Sequence, residues 1–442
     1  MQQNNFIEDF FQLLNKAQIE YCVLRNYKLL PKSTGGSDLD IWVGVNYYDE
    51  FFSIVKKCIE MHKGQVVSYI WKRFEPKICL LGEDWGLQLD VYKEVVPIQE
   101  CPFINGNFIR KHLSQHQGVT VLNEQWSDLE TFLKETLNTG FCDRKANIYP
   151  DAQKALSNIT IQELKEVLPI LSPPVINLIH SISNKEYSQD LITKVYSLGV
   201  KDIKKERNKF YFDKVKKYKR VFKKPGYMIA ILGTDGSGKT TVINAISPIL
   251  EGAFHNGIHY KHLRPHLIPD IGVLMRKREK QCAGLPSSQP HSKKQSGFLG
   301  SFFRWSYYMI DYVFGYVFKI FPIISTKAHL FILDRYYFDY YIDQNRSLTN
   351  LPIWILRFGE FFIPQPDLIL CLGGNAEVLY KRKPETSLEE VERQVNALKQ
   401  FSEKRANAVW ISSDCGIDET VEASMNAIIE MMSTRFKNIK SI

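Results

Sequence analysis

Between Ile229 and Val242 the chain reads Ile-Ala-Ile-Leu-Gly-Thr-Asp-Gly-Ser-Gly-Lys-Thr-Thr-Val. An apolar run leads into Gly233, and a helical pattern follows from Lys239. Between them Gly233, Asp235, Gly236, Ser237 and Gly238 form a turn that meets the spacing G-x-x-x-x-G-K-[ST]. Glycines let such a turn curl until successive N–H groups point inward at an anion. The helix behind adds unpaired N–H donors and the positive end of its dipole. In that setting Lys239 reaches the β- and γ-phosphates of a nucleotide triphosphate. The Thr240 hydroxyl, with Thr241 beside it, ligates Mg²⁺. A turn that only joined strand to helix would not require Gly, Lys and Thr at these offsets.

A second stretch able to do chemistry is Gly35-Gly36-Ser37-Asp38-Leu39-Asp40-Ile41. Asp38 and Asp40 alternate with apolar residues, so a strand here turns both carboxylates to one side. Two like charges that close are costly unless a cation lies between them. Asp90, flanked by Leu89 and Val91, can bring a third carboxylate from a neighbouring strand. Three carboxylates on adjacent strands make a Mg²⁺ site for in-line phosphoryl or nucleotidyl transfer. The plainer alternative is a solvated turn carrying two exposed acids.

Further along, Leu330–Leu333 reads as an apolar strand ending in Asp334-Arg335-Tyr336. A carboxylate at the end of a central strand beside the glycine turn holds Mg²⁺ or its water. Asp334 could instead serve as base toward an acceptor hydroxyl, and Arg335 would sit near the transferring phosphoryl. Pro366–Leu372 is another parallel strand. After it, Leu379 to Thr386, with Lys381, Arg382 and Lys383, reads as a basic lid ahead of a charged helix over 387–406. Cations on a closing lid neutralise charge as a phosphoryl group moves.

The elements that position these groups fall into three expected parts: 1–145, 146–224 and 225–442. The first shows a helix over 6–17 and strands near 19–24, 37–43, 66–71, 78–81 and 87–91, with a helix over 47–62 between them. Residues 126–200 read as helices with turn signals. Residues 201–224 hold twelve Lys/Arg and three Asp/Glu, which equals the chain's whole net charge of +9. Their aromatic stripe suits either a linker helix packed on a neighbour or peripheral contact with an anionic membrane. With the remaining charge balanced, no nucleic-acid footprint stands out. The polar stretch 276–297 has loop composition and is expected to order over substrate. Within the aromatic stretch 298–325, Arg304, Asp311 and Lys319 leave at most seven uncharged residues in a row. A membrane span needs about twenty, so a buried helix lining the acceptor pocket is expected. Eight scattered cysteines without a C-x-x-C pair exclude a zinc ribbon or disulfide framework and suit a reducing cytosol. With no leader-like start, a cytoplasmic protein is expected.

Two resemblances attach to these motifs. Gly233 to Thr241, Asp334-Arg335-Tyr336, Pro366-Asp367-Leu368 and the lid around Arg382 together resemble the thymidylate-kinase-like P-loop kinases over about residues 226–435. That likeness implies ATP-Mg²⁺ as phosphoryl donor and a five-stranded parallel sheet. It also implies Asp235 facing the acceptor, and Arg335 and Arg382 on phosphate groups. Where that family carries an arginine for the substrate phosphate, this chain has Asp311-Tyr312, and an acid facing a monophosphate would repel it. The segment Asp334 to Asp339, with Asp343 and Arg346, resembles a divergent subgroup associated with bacterial surface-polysaccharide genes, which implies a sugar, polyol or sugar-phosphate acceptor. Gly-Gly-Ser-Asp-Leu-Asp with the Asp90 strand resembles the polymerase-β-type nucleotidyltransferases over about residues 1–140. It implies Asp38, Asp40 and Asp90 as metal ligands in a mixed α/β domain. Here Gly35-Gly36 abut the Asp pair, and Arg25 and Lys28 stand where that superfamily's phosphate loop lies.

The expected architecture is thus α/β, a P-loop parallel-sheet domain plus a mixed α/β nucleotidyltransferase-like domain. The expected activity is an ATP-dependent small-molecule kinase with a fused nucleotidyltransferase. The alternatives are a true thymidylate kinase with an inert N-terminal module, and a nucleotidyltransferase-type defence or regulatory protein.

Overall fold

The computed structural model describes residues 2–71, 74–142, 147–207, 223–269, 271, 297–344, 346–347 and 349–437. Among the described residues the chain forms two compact units, one over 2–207 and one over 223–436. Both are α/β, one around a mixed sheet and one around a parallel sheet.

The first unit holds a seven-stranded sheet in the order β3-β4-β5-β2-β1-β9-β8. Its strands are β1 (Tyr21–Val23), β2 (Leu39–Val43), β3 (Gln65–Ile70), β4 (Lys77–Leu81), β5 (Gly86–Lys93), β8 (Leu113–His116) and β9 (Val119–Leu122). A separate hairpin pairs β6 (Val95–Ile98) with β7 (Cys101–Asn105). Side chains alternate between faces along a strand, and that period sorts this sheet. Leu39, Ile41 and Val43 of β2, with Leu87, Leu89 and Val91 of β5, join a core with Phe6, Phe10, Phe51 and Val55. Those aromatics belong to the helices Gln2–Lys16 and Tyr48–Met61.

The residues between them, Asp40 and Trp42 on β2 and Gln88, Asp90 and Tyr92 on β5, belong to the other face. There a second core joins Trp42 and Tyr92 to a helical layer that includes Leu129, Leu133, Leu156 and Ile192. The helices of this layer span Glu124–Thr139, Ile148–Leu156, Ile161–Val167, Pro173–His180 and Gln189–Arg207. The helical stretch after residue 126 therefore covers the sheet face that carries the carboxylates. The basic stretch 201–224 begins as the last turns of Gln189–Arg207, where Ile203 is buried. Its residues 208–222 lie outside the described residues, as does most of the polar stretch 276–297.

The second unit is built on five strands: β10 (Tyr227–Gly233), β11 (Ile258–His262), β12 (Leu330–Asp334), β13 (Leu368–Gly373) and β14 (Ala408–Ser412). Their order is β11-β12-β10-β13-β14, and all four pairings are parallel. β10, β12 and β13 are buried throughout, as central parallel strands covered on both faces must be. In such sheets ligands bind beyond the carboxyl ends of the strands, where the strand order reverses. Gly233 and Asp334 lie at those ends, on adjacent strands.

The aromatic stretch departs from expectation. Phe298–Gly315 is α-helical and continues through a wider turn at Tyr316–Ile320 into Phe321–Thr326. Among the described residues it is the one helix long and apolar enough to span a membrane by length and composition, and only a third of it is buried. Ser301, Trp305, Asp311, Tyr312, Gly315 and Ile320 face the unit, while Leu299, Phe303, Ile310, Phe314 and Phe318 are exposed. The helix is one-sided, not the buried pocket-lining element the charges suggested.

Candidate functional site

In the second unit the turn after β10 has the shape its glycines require. Gly236 and Gly238 lie in the left-handed region, at φ of 80° and 82°, and Gly238 caps the helix Lys239–Ala253. A Cβ on Gly233 would come within 2.6 Å of the Leu372 carbonyl oxygen, and one on Gly236 equally close to that of Leu379. The helix Ala376–Arg382, which carries the basic segment, therefore rests directly on the glycine turn. Its Arg382 donates to the Ser413 carbonyl at 3.2 Å. Gly236→Ala should consequently both strain the turn and push this helix away. A loss of nucleotide affinity of at least about tenfold, measured by fluorescent-ATP titration, is the expected result.

Lys239 is nearly buried and donates to the carbonyls of Gly233 and Thr234, each at 2.8 Å. Burial, reinforced by the Arg335 guanidinium, pushes its ammonium down to about 7. Asp334, at the end of β12, accepts from Tyr260 Oη at 2.7 Å, and His262 Nδ1 lies 3.4 Å away. Burial works to raise this carboxyl, but the nearby His262 ring, the Tyr260 hydrogen bond and the charge of Lys239 hold it at about 2.

Beside it Arg335 adopts φ 70°, an uncommon region for a residue with a side chain. This turn aims the guanidinium at two carboxylates, Asp339 Oδ2 and Asp235 Oδ1, both at 2.9 Å. Arg346 closes on Asp235 Oδ2 and lies 3.2 Å from Asp343. Asp235, Asp339, Asp343, Arg335 and Arg346 thus form one network beside the glycine turn. The sequence showed each of these residues, and the DRY-type strand end pointed to Arg335. The Asp235–Arg346 link, spanning more than a hundred residues, had no local signal.

The residues present suit a triphosphate with Mg²⁺. Asp334 Oδ1, Ser237 Oγ and Thr234 Oγ1 are buried with no hydrogen-bond partner, and such groups are costly unless something satisfies them. All three cluster around the turn, with the Thr240 and Thr241 side chains at the start of the following helix.

Asp311 behaves differently from its sequence reading. It is fully buried and pairs with Arg264 Nη1 at 2.5 Å. Its oxygens also accept from the backbone N–H groups of His266 (3.1 Å), Leu267 (2.5 Å) and Ile268 (3.2 Å). This carboxylate organises the turn after β11 and is charge-compensated. It cannot repel an acceptor in the way its position in the sequence implied.

In the first unit the register sets Asp40 directly beside Asp90 across the parallel β2–β5 pair. Asp38 precedes β2, and ligand oxygens of Asp38, Asp40 and Asp90 all lie within 4.8 Å of one another. The cluster is internally compensated. Asp40 accepts from Arg25 Nε (2.6 Å), Tyr92 Oη (2.6 Å) and Lys134 Nζ (3.1 Å). Burial opposes ionisation of Asp40, yet Arg25 and Lys134 hold it well below the usual carboxylate range. Asp90 pairs with Lys77 Nζ at 2.5 Å and accepts from Gln88 at 3.2 Å. Burial raises its carboxyl to about 7, with Glu75, Asp38 and Asp40 adding to the rise and Lys77 offsetting part of it. Glu130, one helical turn before Lys134, is buried with neither carboxylate oxygen hydrogen-bonded, and burial raises its pKa.

A carboxylate offers about four acceptor positions, so Asp40 and Asp90 keep capacity for a cation, and hard oxygen donors suit Mg²⁺. Next to the cluster a cavity of about 320 Å³ is lined by residues that include Tyr27, Gly35, Ser37, Ser127, Asp128 and Thr131. Of the two cations that stand in place of the superfamily's phosphate loop, Arg25 is committed to Asp40, and Lys28 is largely exposed at 3.4 Å from Glu124. Lys77, Lys134, Tyr92 and Glu130 were missed. Only the strand register and the helix Glu124–Thr139 crossing the sheet bring them to the carboxylates.

No protein-family model matches the chain, and no curated protein matches it in sequence. Among solved structures it is similar to thymidylate kinase from Ehrlichia chaffeensis, at 15% identity and a TM-score of 0.32, over 47% of this chain and 100% of that one. A likeness this distant carries no functional argument.

Proposed function

We propose that the second unit is an ATP- and Mg²⁺-dependent phosphotransferase acting on a small hydroxyl-bearing acceptor, a sugar, polyol or sugar-phosphate. The observation that carries this reading is the convergence on one turn of Lys239 and three buried, unpartnered oxygens from Thr234, Ser237 and Asp334. Gly233, Asp235, Gly236, Ser237, Gly238 and Thr241 surround the phosphates, and Lys239 swings from the turn's own carbonyls to the β- and γ-phosphates. Thr240 and Asp334 would hold Mg²⁺, which when bound would supply charge neutralisation for the phosphates. A carboxyl held near 2 is a weak base, so Asp334 suits metal holding better than proton abstraction. Arg335 and Arg382 stabilise charge on the moving phosphoryl.

Among the described residues of this network, the carboxylates of Asp235, Asp339 and Asp343 outnumber the guanidinium groups of Arg335 and Arg346. That balance favours a neutral sugar or polyol over an acceptor that already carries a phosphate, whether a sugar-phosphate or a nucleoside monophosphate. Incubation with Mg-ATP and candidate sugars and polyols should release ADP only with acceptor present. Turnover confined to dTMP would establish the thymidylate-kinase alternative instead.

For the first unit we propose Mg²⁺-dependent nucleotidyl transfer, with Asp38, Asp40 and Asp90 as the metal ligands. The double variant Asp38→Asn, Asp40→Asn should abolish pyrophosphate release and leave acceptor-dependent ADP release unchanged. Pyrophosphate release at the unaltered rate would remove this part of the proposal.

A further inference from the structure

Among the described residues, half of the exposed large hydrophobic side chains lie on two neighbouring helices of the second unit and the turn after one of them. Leu299, Phe303, Ile310, Phe314 and Phe318 run along the outer face of 298–320, at spacings that stay on one side of a helix. Trp354, Phe358, Phe361 and Phe362 project from the helix Ile353–Glu360 and the turn after it. Phe303 and Trp354 are each 70% exposed and Phe361 86%. The helices meet through Trp305, against which a Cβ on Gly359 would clash, and the Ser301 hydroxyl accepts at 3.0 Å from the N–H of Asn350, just before the second helix. Isolated exposed hydrophobics are ordinary, but a contiguous set is an interaction surface.

Charge identifies the occupant. Around this patch Arg304, Lys319 and Arg357 have no carboxylate partner among the described residues. The nearby acids are neutralised, Asp311 by Arg264 and Glu360 by Arg405. Continuous with Phe361 is a groove of about 730 Å³ lined by the paired Glu360–Arg405, by Arg393, which pairs with Glu390, and by Arg357 and Lys404, whose charges have no carboxylate partner among the described residues. A two-fold pairing of copies through this patch would set these cations against themselves. An anionic bilayer surface instead offers acyl chains to the aromatic rings and phosphates to the cationic groove.

We infer that this face docks the protein onto an anionic membrane surface, with the helix 298–320 lying in the interface plane and the groove seating lipid headgroups.

The test is co-sedimentation of the full chain with vesicles of phosphatidylcholine plus phosphatidylglycerol, and of phosphatidylcholine alone. Wild type should bind the anionic vesicles, and F303D/F318D and F361D/R357E should each bind at least about tenfold more weakly. Both variants should keep the wild-type far-UV circular dichroism and ATP turnover, because none of these residues lies at the phosphate site. Brominated lipid should quench wild-type fluorescence, and W354F should lose that quenching. Three results would overturn the inference: absence of wild-type binding, vesicle binding unaltered in both variants, or a wild-type dimer without vesicle affinity that the variants convert to monomer.

Discussion

Lys239→Met is expected to lower acceptor-dependent ADP release by about 10²–10³-fold, the scale set by removing one preorganised charge from a developing transition state. The physical reason lies in where Lys239 rests. With its ammonium on the Gly233 and Thr234 carbonyls, it is held at the rim of the phosphate turn and needs only a change of partner to reach a triphosphate. Methionine matches the length of the buried stem and so keeps the helix start packed. It supplies no charge. The check is a coupled ADP assay together with thermal unfolding of the same preparation. Undiminished turnover in a folded variant would show that this turn is not the donor site.

The second large effect concerns stability. Asp311→Ala leaves Arg264 buried and charged without its partner, and orphans the N–H groups of His266, Leu267 and Ile268. Removing one member of a buried ion pair costs about 3–5 kcal/mol. In a unit of this size that corresponds to a fall in Tm of roughly 6–20 °C. Calorimetry should show the loss in the transition of the second unit and little change in that of the first. A shift under about 2 °C would mean that the turn after β11 relaxes to readmit water around Arg264. The double variant Asp311→Leu, Arg264→Met removes both charges and should recover the part of the loss that comes from the unpaired Arg264, while the three N–H groups stay without an acceptor.

The parallel-sheet unit was readable because its chemistry is local. Gly233 to Thr241 occupy one turn, and Asp334 and Arg335 end one apolar strand, so spacing alone placed them. The alternation of Asp40 and Asp90 with apolar neighbours likewise put both on one sheet face. What escaped the sequence depends on long-range geometry. Lys134 reaches Asp40 only because a helix more than ninety residues away crosses the sheet, and Lys77 meets Asp90 through the antiparallel β4–β5 register. The burial of Asp311 depends on a turn nearly fifty residues upstream, so an acid in an aromatic helix read as a repulsive surface charge. The same helix was misjudged because hydrophobic content does not reveal which face is covered. Its one-sided burial emerges only when Trp305 and Tyr312 find their partners.

The central claim is that the second unit passes a phosphoryl group from ATP to a small hydroxyl-bearing acceptor. The most direct measurement is transfer of label from γ-labelled ATP, with Mg²⁺, across a panel of sugars, polyols, sugar-phosphates and nucleoside monophosphates. A labelled sugar or polyol product that disappears with Lys239→Met is the predicted result. Tight ATP binding with no labelled product from any acceptor would contradict it.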